Sequence, residues 1–407
     1  MSGAVYLLGA GPGDAGLLTQ KAARLLAQAE VVVYDRLVGE DVLALMPETA
    51  EKINVGKHVG LHPVPQESIN RILLEKALAG KCVVRLKGGD CFLFGRGAEE
   101  LELLREHDVP FEVVPGVPSP IAATAYAGIP VTHRDCCSSV HFITGHRQKD
   151  GVLELDYAAL VRLNGTLVFM MAVASCGEIM RGLMAYGMEP NMPAAIIENG
   201  TLPEQRVFAS VVSQLEETVR AQRVVSPALI VVGQVCALHE RFDWFSQIPL
   251  RGKRILVTSP QGNASRLKGG LAALGARVTV LPAIETRPLS FAVPPLDGFQ
   301  VLAFTSPVGV DCFFEQLLRE GRDARALCGM TVAAVGEKTS ASLRARGIAA
   351  DVVPEIYSGE ALGHALLTSG RLCAGQRALL AGAREASPAL AQVLAEGGVS
   401  CAELYVY

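Results

Sequence analysis

The sequence predicts an α/β protein with at least two domains, and three observations support this prediction. The chain has 407 residues, about twice the length of a typical domain. Short apolar segments that suit strands alternate along it with segments that have helical periodicity. Half of the residues are hydrophobic but only 5% are aromatic, a composition typical of aliphatic strands covered by helices on both faces.

The first part of the chain contains most of the predicted strands. They lie at Val5–Leu8, Val31–Tyr34, Lys81–Leu86, Phe111–Val114, Val140–Thr144, Thr166–Met170, Ala194–Glu198 and Leu229–Val232. Helices are predicted at Glu67–Ala79 and Ala98–Glu106, and Thr19 has the side chain and position of a helix N-cap.

A break in this rhythm marks the predicted domain boundary. The segment 240–250 contains the only tryptophan, Trp244, and leads into a new apolar strand at Ile255–Thr258. We therefore place one domain at 1–246 and a second at 247–407. Further strands are predicted at Arg277–Leu281, Val301–Thr305, Thr331–Val335, Arg377–Leu380 and Leu404–Tyr407, and helices at Ala264–Leu274, Val308–Arg319 and Glu337–Ala345. Because the sequence stops on a strand, the second domain is predicted to be incomplete.

Composition excludes several classes of function. The net charge is −4 and no lysine- and arginine-rich block occurs, so a nucleic-acid partner is not expected. The ten cysteines form no Cys-x-x-Cys pair, which argues against a disulfide framework and a zinc site. The sequence has no basic leader and no apolar run of membrane-spanning length. We expect a cytoplasmic protein that binds neither a metal nor a membrane.

The first glycine turn, Gly9–Asp14, follows the first strand and suggests a dinucleotide site. The position of the third glycine in G-x-G-x-x-G is Asp14, however, where a negative charge would oppose the pyrophosphate. Pro12 also removes a backbone donor from the loop. An NAD-binding oxidoreductase is therefore disfavoured, and by itself the segment is consistent with an ordinary tight turn.

Two more glycine-rich turns indicate a ligand site. Gly88, Gly89 and Asp90 follow a strand, at the end of a sheet where α/β proteins usually bind ligands. The rigid turn at 114–120 follows the next strand, although by itself its Ser119 is better explained as an N-cap. No phosphate-binding loop of the G-x-x-x-x-G-K type is present. These turns favour a nucleoside without phosphates.

Taken together, the turns resemble the uroporphyrinogen-III C-methyltransferase family of S-adenosylmethionine-dependent tetrapyrrole methyltransferases. The similarity runs in order over roughly the first 240 residues. The matching segments are 9–14, 17–19, 33–38, 84–90, 94–97, 114–116, 125–134, 144–146, 198–201, 205–206 and 226–228. Departures from the family pattern occur at Cys91, at Met170–Ala172 and at Pro118–Pro120.

The resemblance implies a fold, a reaction and a set of residues. The fold has two α/β subdomains, split near residue 135, with the active site between them in a homodimer. Two methyl groups from S-adenosylmethionine would convert uroporphyrinogen III to precorrin-2, the branch point of sirohaem and cobalamin synthesis, and leave S-adenosylhomocysteine. The residues expected to bind the methyl donor are Pro12, Gly88, Gly89, Asp90, Leu93, Pro118, Ser119, Met171, Gly200, Pro227 and Ala228.

The resemblance also assigns the reacting groups. Asp35 matches the proposed proton acceptor of the family and Lys57 the proposed proton donor. Because the substrate carries eight carboxylates, cationic side chains are expected in its cleft. The candidates are Arg36, Lys87, Arg96, His133 and Arg134, although each is equally consistent with an ordinary surface charge.

Residues from about 251 onward resemble uroporphyrinogen-III synthase, with a parallel sheet as the expected fold. The matching segments are 254–258, 304–306 and 334–339. By family comparison roughly the last third is missing, so synthase activity is not expected of this chain. Because the chain begins at the methyltransferase, the dehydrogenase and ferrochelatase activities of trifunctional relatives are not expected either.

Two alternatives within this resemblance stay open. The first is a methyltransferase that acts on a later precorrin, or a related diphthine-type enzyme, although the segments Arg85–Asp90 and Thr132–Arg134 favour the first step. The second is a non-catalytic protein that binds S-adenosylmethionine or porphyrinogens, which the presence of both Asp35 and Lys57 disfavours.

Overall fold

The chain divides into two compact units. A computed structural model describes residues 3–56, 64–145 and 153–407, without the side chains of 261–266. The first unit extends to Val257 and also includes Ser265–Leu281, and the second unit comprises Thr258–Ala264 and Pro282–Tyr407. The units thus divide further along the chain than the boundary predicted near residue 246.

The first sheet is parallel throughout and has the strand order β3-β2-β4-β1-β5. Its strands are β1 (Ala4–Gly9), β2 (Val31–Tyr34), β3 (Glu51–Asn54), β4 (Cys82–Lys87) and β5 (Phe111–Val114). The accompanying helices are α1 (Gln20–Leu26), α2 (Glu40–Leu43), α3 (Gln66–Leu78), α4 (Gly97–Glu106) and α5 (Ser119–Tyr126).

Whether the sequence predicts one of these strands depends on how deeply the strand is buried. The three valines of β2 are buried, as is the centre of β4, because the helices cover both faces of the sheet. The edge strand β3 has the sequence Glu-Lys-Ile-Asn and is largely exposed, so it lacks the apolar run by which strands are recognised. The sequence patterns therefore do not predict β3.

The second sheet of the first unit is mixed and has the order β6-β7-β10-β8-β9. Its strands are β6 (Val140–Thr144), β7 (Thr166–Met170), β8 (Pro193–Glu198), β9 (Arg206–Val211) and β10 (Ala228–Val232). Its helices are α6 (Tyr157–Arg162), α7 (Cys176–Ala185), α8 (Leu215–Ala221) and α9 (His239–Phe242). Strands β6 and β7 are parallel, whereas β10 runs antiparallel to both β7 and β8. The edge strand β9 is a further strand that the sequence patterns do not predict.

A small third sheet completes the first unit. Strand β11 (Arg254–Val257) is followed by helix α10 (Gln261–Ala273) and by strand β12 (Arg277–Val280), which pairs with β11 in parallel. This pairing explains why residues 265–281 belong to the first unit although they lie beyond Val257 in the sequence.

The second unit contains a parallel sheet of order β14-β13-β15-β16, as expected. The strands are β13 (Val301–Phe304), β14 (Thr331–Ala334), β15 (Arg377–Gly382) and β16 (Ser400–Tyr405), and the helices α11 (Pro307–Arg319), α12 (Glu337–Arg344), α13 (Gly359–Thr368) and α14 (Ala389–Glu396). The ring of Phe304 packs against those of Phe313 and Phe314, with centroids 5.5 and 6.2 Å away. The core of this unit is therefore partly aromatic.

Within the described ranges, no helix combines the length and the apolar character that crossing a bilayer requires. The α/β fold class predicted from the sequence is confirmed by the parallel and mixed sheets and the helices that cover them.

We predict that removing the cap of α1 destabilises the first unit. The hydroxyl of Thr19 accepts a hydrogen bond from the amide of Ala22 at 3.2 Å. Thr19→Ala leaves that amide without its partner and should lower the free energy of unfolding by about 1 kcal/mol. Thr19→Ser, which keeps the oxygen, is the control in urea denaturation. Equal losses in the two variants would contradict the capping role.

Candidate active site

A cavity of about 460 Å³ lies in the first unit, a size suited to one small ligand. One wall follows the carboxyl ends of β1, β2 and β4, where parallel sheets bind ligands. The opposite wall comes from the second sheet, through Met170 and Met171 at the end of β7, Asn199 after β8 and Pro227 before β10. The cavity is therefore enclosed by loops of both sheets.

Four glycines allow the loops of the first wall to cross at very short distances. Gly11 and Gly89 exchange backbone hydrogen bonds of 3.1 and 2.7 Å. A Cβ atom on Gly116 would lie 2.3 Å from the carbonyl oxygen of Gly89, and one on Gly9 would lie 2.4 Å from the amide nitrogen of Gly116. Gly89 also has a φ of +69°, which disfavours any side chain. The wall is therefore bare backbone that a ligand can approach closely.

Asp90 ties these loops together. Its Oδ1 accepts hydrogen bonds from the amides of Phe92 and Leu93 at 2.9 and 3.1 Å, and its Oδ2 accepts one from the amide of Gly116 at 3.1 Å. The residue lines the cavity. The carboxylate thus fixes the wall in addition to facing the ligand space.

Strained backbone also occurs at the cavity. Phe94, Met171 and Asn199 line the cavity, and their φ angles are +53°, +55° and +50°. Non-glycine residues in this left-handed region cost about 1–3 kcal/mol each and are held by the surrounding structure, typically at functional sites. Such strain on both walls supports a ligand-binding role for the cavity.

A buried cluster of charges lies beneath the first wall. Arg85, Lys87 and Glu100 are 1%, 4% and 0% exposed. Glu100 accepts hydrogen bonds from Nε and Nη2 of Arg85 at 3.1–3.2 Å and one from Nζ of Lys87 at 2.7 Å. Such burial costs free energy that only close pairing offsets. Burial lowers the pKa of Arg85, but the carboxylates of Asp35 and Glu100 outweigh it and leave that pKa raised.

This cluster positions Asp35. The Nη2 of Arg85 donates to Oδ1 of Asp35 at 2.7 Å, and the Asp35 side chain is 30% exposed. Asp35 is not among the lining residues, but Arg36 and Leu37, which follow it directly, are. A partly exposed carboxylate is therefore held beside the cavity by a guanidinium that is itself fixed by Glu100.

Asp14, whose negative charge disfavours an NAD site, has a structural role. Its Oδ1 accepts from the amide of Gly16 at 2.7 Å, and its Oδ2 accepts from the hydroxyl of Tyr126 at 2.7 Å. Its own amide donates to the hydroxyl of Thr201 in the second sheet's loop at 3.3 Å. Burial, together with the bond to Asp14, raises the pKa of Tyr126. The first glycine turn is thus bonded to the second wall.

Most residues expected to bind the methyl donor are brought together by the fold. Those that line the cavity are Pro12, Gly88, Gly89, Asp90, Leu93, Pro118, Ser119, Met171 and Pro227. Gly200 and Ala228 are not among the lining residues. A Cβ atom on Gly200 would lie 2.3 Å from that of Ala123, so this glycine serves helix packing. Ala228 is the first residue of β10, directly after Pro227.

The expected substrate-binding cations are placed differently from one another. Arg36 lines the cavity, whereas Lys87 is buried against Glu100. Arg96 pairs with Glu99 at the surface, with a shortest contact of 2.6 Å. Asp135 donates its amide to Nδ1 of His133 at 3.2 Å, and Arg134 is exposed. Lys57, the expected proton donor, lies outside the described residues.

Sequence reasoning missed several lining residues. They are Glu40 and Asp41 in α2, Asn199, Leu202 and Glu204 after β8, and Arg277, Val278 and Thr279 in β12. Glu40 and Asp41 look like ordinary first-turn helix acids, and β12 falls in the part of the chain assigned to another domain. Only the position of Asn199 directly after a buried strand offered a signal.

This arrangement defines a class of α/β enzyme in which two sheets enclose a glycine-walled cavity. Comparison with known proteins identifies the family within this class. The model of the tetrapyrrole (corrin/porphyrin) methylases matches residues 4–216, and that of uroporphyrinogen-III synthase HemD matches residues 265–407. The chain therefore belongs to the tetrapyrrole methylase family, as an S-adenosylmethionine-dependent C-methyltransferase with a synthase domain. The resemblance predicted from the sequence is confirmed.

Two curated relatives cover the chain to different extents. A porphyrin biosynthesis protein HemD of Ruminiclostridium josui is 46% identical over the whole of this chain and 81% of its own length. A sirohaem synthase of Salmonella typhi is 53% identical over 60% of this chain and 52% of its own length. The chain thus spans about half the length of the sirohaem synthases.

Solved structures resemble the first unit. A uroporphyrin-III C-methyltransferase of Thermus thermophilus, complexed with S-adenosylhomocysteine, is 43% identical, with a TM-score of 0.50, and covers 58% of this chain and 100% of its own. A cobalt precorrin-4 methyltransferase is 29% identical, with a TM-score of 0.52, and covers 57% of this chain and 95% of its own.

We predict that Glu100→Gln strongly destabilises the first unit. The substitution leaves Arg85 and Lys87 buried without their shared carboxylate, and losing one partner of a buried pair costs about 3–5 kcal/mol. The adjacent Glu99→Gln removes an exposed partner of Arg96 and should change little. Urea denaturation of the two variants provides the comparison. Similar losses in both would contradict the importance of the buried cluster.

We also predict that Cys91 is chemically inert. Burial, followed by the nearby Asp90, raises the pKa of this thiol to about 12. The reactive thiolate is then about one part in ten thousand at pH 8. Iodoacetamide at pH 8 should modify the exposed Cys328 and Cys373 and leave Cys91 unmodified, as peptide mass spectrometry can show. Equally fast modification of Cys91 would contradict its burial.

Proposed function

We propose that the first unit transfers two methyl groups from S-adenosylmethionine to carbon atoms of uroporphyrinogen III and produces precorrin-2. The observation that carries this proposal is the juxtaposition of the glycine-walled cavity with Asp35, which Arg85 holds beside it. The similarity to a uroporphyrin-III C-methyltransferase crystallised with S-adenosylhomocysteine supports the choice of donor and acceptor.

The lining of the cavity suits the methyl donor. Pro12, Leu93 and Met171 offer apolar contacts, and the bare backbone at Gly88 and Gly89 allows close approach. Two arginines and four acidic residues line the space, a formal charge of −2 from +2 and −4. This excess of negative charge favours a ligand with a cationic sulfonium and an ammonium group. When bound, S-adenosylmethionine supplies an activated methyl group.

Asp35 is the proposed proton acceptor. A pyrrole carbon that has gained a methyl group leaves its ring positively charged until a proton is lost. A carboxylate held in place can stabilise that charge and then accept the proton. Arg85 restrains Oδ1 of Asp35, whose side chain is 30% exposed. Lys57 remains the proposed proton donor on the strength of the family resemblance.

The substrate's carboxylates require cations, and Arg36 is the expected one placed at the cavity. His133, Arg134 and Arg96 would contact only those parts of a bound tetrapyrrole that extend beyond it. Lys87 is proposed to act indirectly, since its ammonium is bound to the buried Glu100. A homodimer that works in the cytoplasm without a metal completes the proposal.

The synthase match supports a second candidate activity, the cyclisation of hydroxymethylbilane. A cavity of about 140 Å³ lies in the second unit at the carboxyl ends of the sheet, beside Thr305, Gly382 and Tyr405. Incubation with hydroxymethylbilane and analysis of the uroporphyrinogen isomers tests this activity. Formation of isomer I alone, the uncatalysed product, would exclude it.

We predict double methylation that depends on Asp35. Anaerobic incubation with uroporphyrinogen III and methyl-labelled S-adenosylmethionine should add two methyl groups, detected by mass spectrometry. Asp35→Asn removes the proton acceptor but keeps the size of the side chain, and should lower kcat about 10²–10⁴-fold. Asp297→Asn, at an exposed position in the second unit, is the matched control.

The alternatives give distinct outcomes in the same assay. A methyltransferase of a later step would bind S-adenosylhomocysteine but methylate a precorrin and leave uroporphyrinogen III unchanged. A sensor would bind both ligands without transfer. Failure to bind S-adenosylhomocysteine would contradict the proposal altogether.

A further inference from the structure

Three residues at the rim of the cavity lie outside the part of the chain that matches the methylase family. Arg277, Val278 and Thr279 lie on β12 and line the cavity. They fall beyond residue 216, where the methylase match ends, and inside the stretch that matches the synthase. The fold nevertheless places β12 in the first unit. A strand with synthase-like sequence thus forms part of a methyltransferase cavity.

Arg277 connects both walls of this cavity. Its Nη2 lies 2.7 Å from Oε2 of Glu40, which begins α2 on the side of the first sheet. Its Nη1 lies 3.0 Å from Oε1 of Glu204, which follows β8 of the second sheet. A single guanidinium therefore joins the two rims. A second ion pair from the same segment, Lys268 to Asp41 at 3.1 Å, lies beside it.

The segment formed by α10 and β12 is anchored at its base, around Leu274 and Gly275, by contacts of a different kind. The amide of Leu250 donates to the carbonyl of Leu274 at 2.9 Å, and Gly275 lies against Ile248. Before Ile248 in the chain, the rings of Trp244 and Phe245 pack against Tyr126, with centroids 5.1 and 4.9 Å from that of Tyr126. A backbone hydrogen bond and an apolar contact thus hold the base, whereas ion pairs hold the rim.

The ion pairs at the rim are suited to breaking and reforming. The side chains of Arg277, Glu40 and Glu204 are between 43% and 80% exposed, so water competes for each of them. Exposed pairs contribute little free energy and weaken as salt screens them. Salt does not weaken the contacts at the base in this way. The ion pairs at the rim can therefore break while the segment stays attached at its base.

We propose that Arg277 is a positioning residue that latches β12 across the cavity, and that the methyl donor and its product exchange when the latch opens. The proposal rests on the proposed function, which assigns this cavity to S-adenosylmethionine. Arg277 acts through Glu40 and Glu204, and it controls exchange of the ligand without taking part in methyl transfer.

Release of S-adenosylhomocysteine from the full chain tests the latch. Radiolabelled ligand is bound, chased with an excess of unlabelled ligand and followed by rapid filtration. Arg277→Gln should speed release by roughly three- to tenfold, because two exposed ion pairs are lost. Arg277→Lys keeps the charge but not the fork that reaches two carboxylates, and its release rate should fall between those of the unmodified protein and Arg277→Gln.

Salt dependence separates a latch from a general loss of structure. Release from the unmodified protein should become faster as sodium chloride is raised, whereas release from Arg277→Gln should respond much less. Glu204→Gln should speed release by itself, and its effect should not add fully to that of Arg277→Gln. It also serves as the test if Arg277→Gln fails to fold.

Arg254→Gln is the matched control. Arg254 is an exposed arginine on β11 that pairs in register with Arg277, so its loss should leave release unchanged. Unchanged release and salt response in both Arg277→Gln and Glu204→Gln would overturn the latch while leaving the proposed function intact. No binding of S-adenosylhomocysteine to the unmodified protein would overturn the proposed function, and the latch with it.

Discussion

The buried carboxylate of Glu100 is the constraint on which the geometry of the site depends. It lies between Arg85 and Lys87, two cations of β4 that the interior would not otherwise tolerate. With Glu100 in place, Arg85 can direct one nitrogen to Asp35, while the end of β4 leads directly into the glycine loop at Gly88. The proposed proton acceptor and the ligand wall are therefore positioned by the same cluster.

The first wall of the cavity is glycine backbone without side chains, and the second contains residues with strained backbone conformations. On the first wall, the crossing of Gly9, Gly89 and Gly116 excludes side chains and brings three segments together. On the second, Met171 and Asn199 hold left-handed conformations that the surrounding sheet must stabilise. The hydrogen bond from the amide of Asp14 to the hydroxyl of Thr201 joins the two walls. Contacts within the protein thus fix the backbone of both walls.

Sequence patterns predicted the buried strands well, because a short continuous apolar run between turns, such as Val31–Val33, is typical of a strand covered on both faces. The edge strand β3 lacks such a run and is largely exposed, so it was missed. The edge strand β9 was also missed, although it contains the apolar residues Val207–Ala209. At the site, nine of the eleven residues that the family resemblance implied for the methyl donor line the cavity. The role of Lys87 could not be judged, because sequence shows a cation after a strand but not the carboxylate that a distant helix brings to it. The rim residue Arg277 was missed for a similar reason, since its partners lie more than 70 residues away.

The assignment of β12 to the first unit means that homology and structure divide this protein at different places. The synthase match begins at residue 265, but the methyltransferase unit retains Ser265–Leu281. A fragment that ended at the homology boundary would leave Glu40 and Glu204 without Arg277 and would remove the contact of Gly275 with Ile248. The compact unit that contains the methyltransferase cavity therefore extends to Leu281.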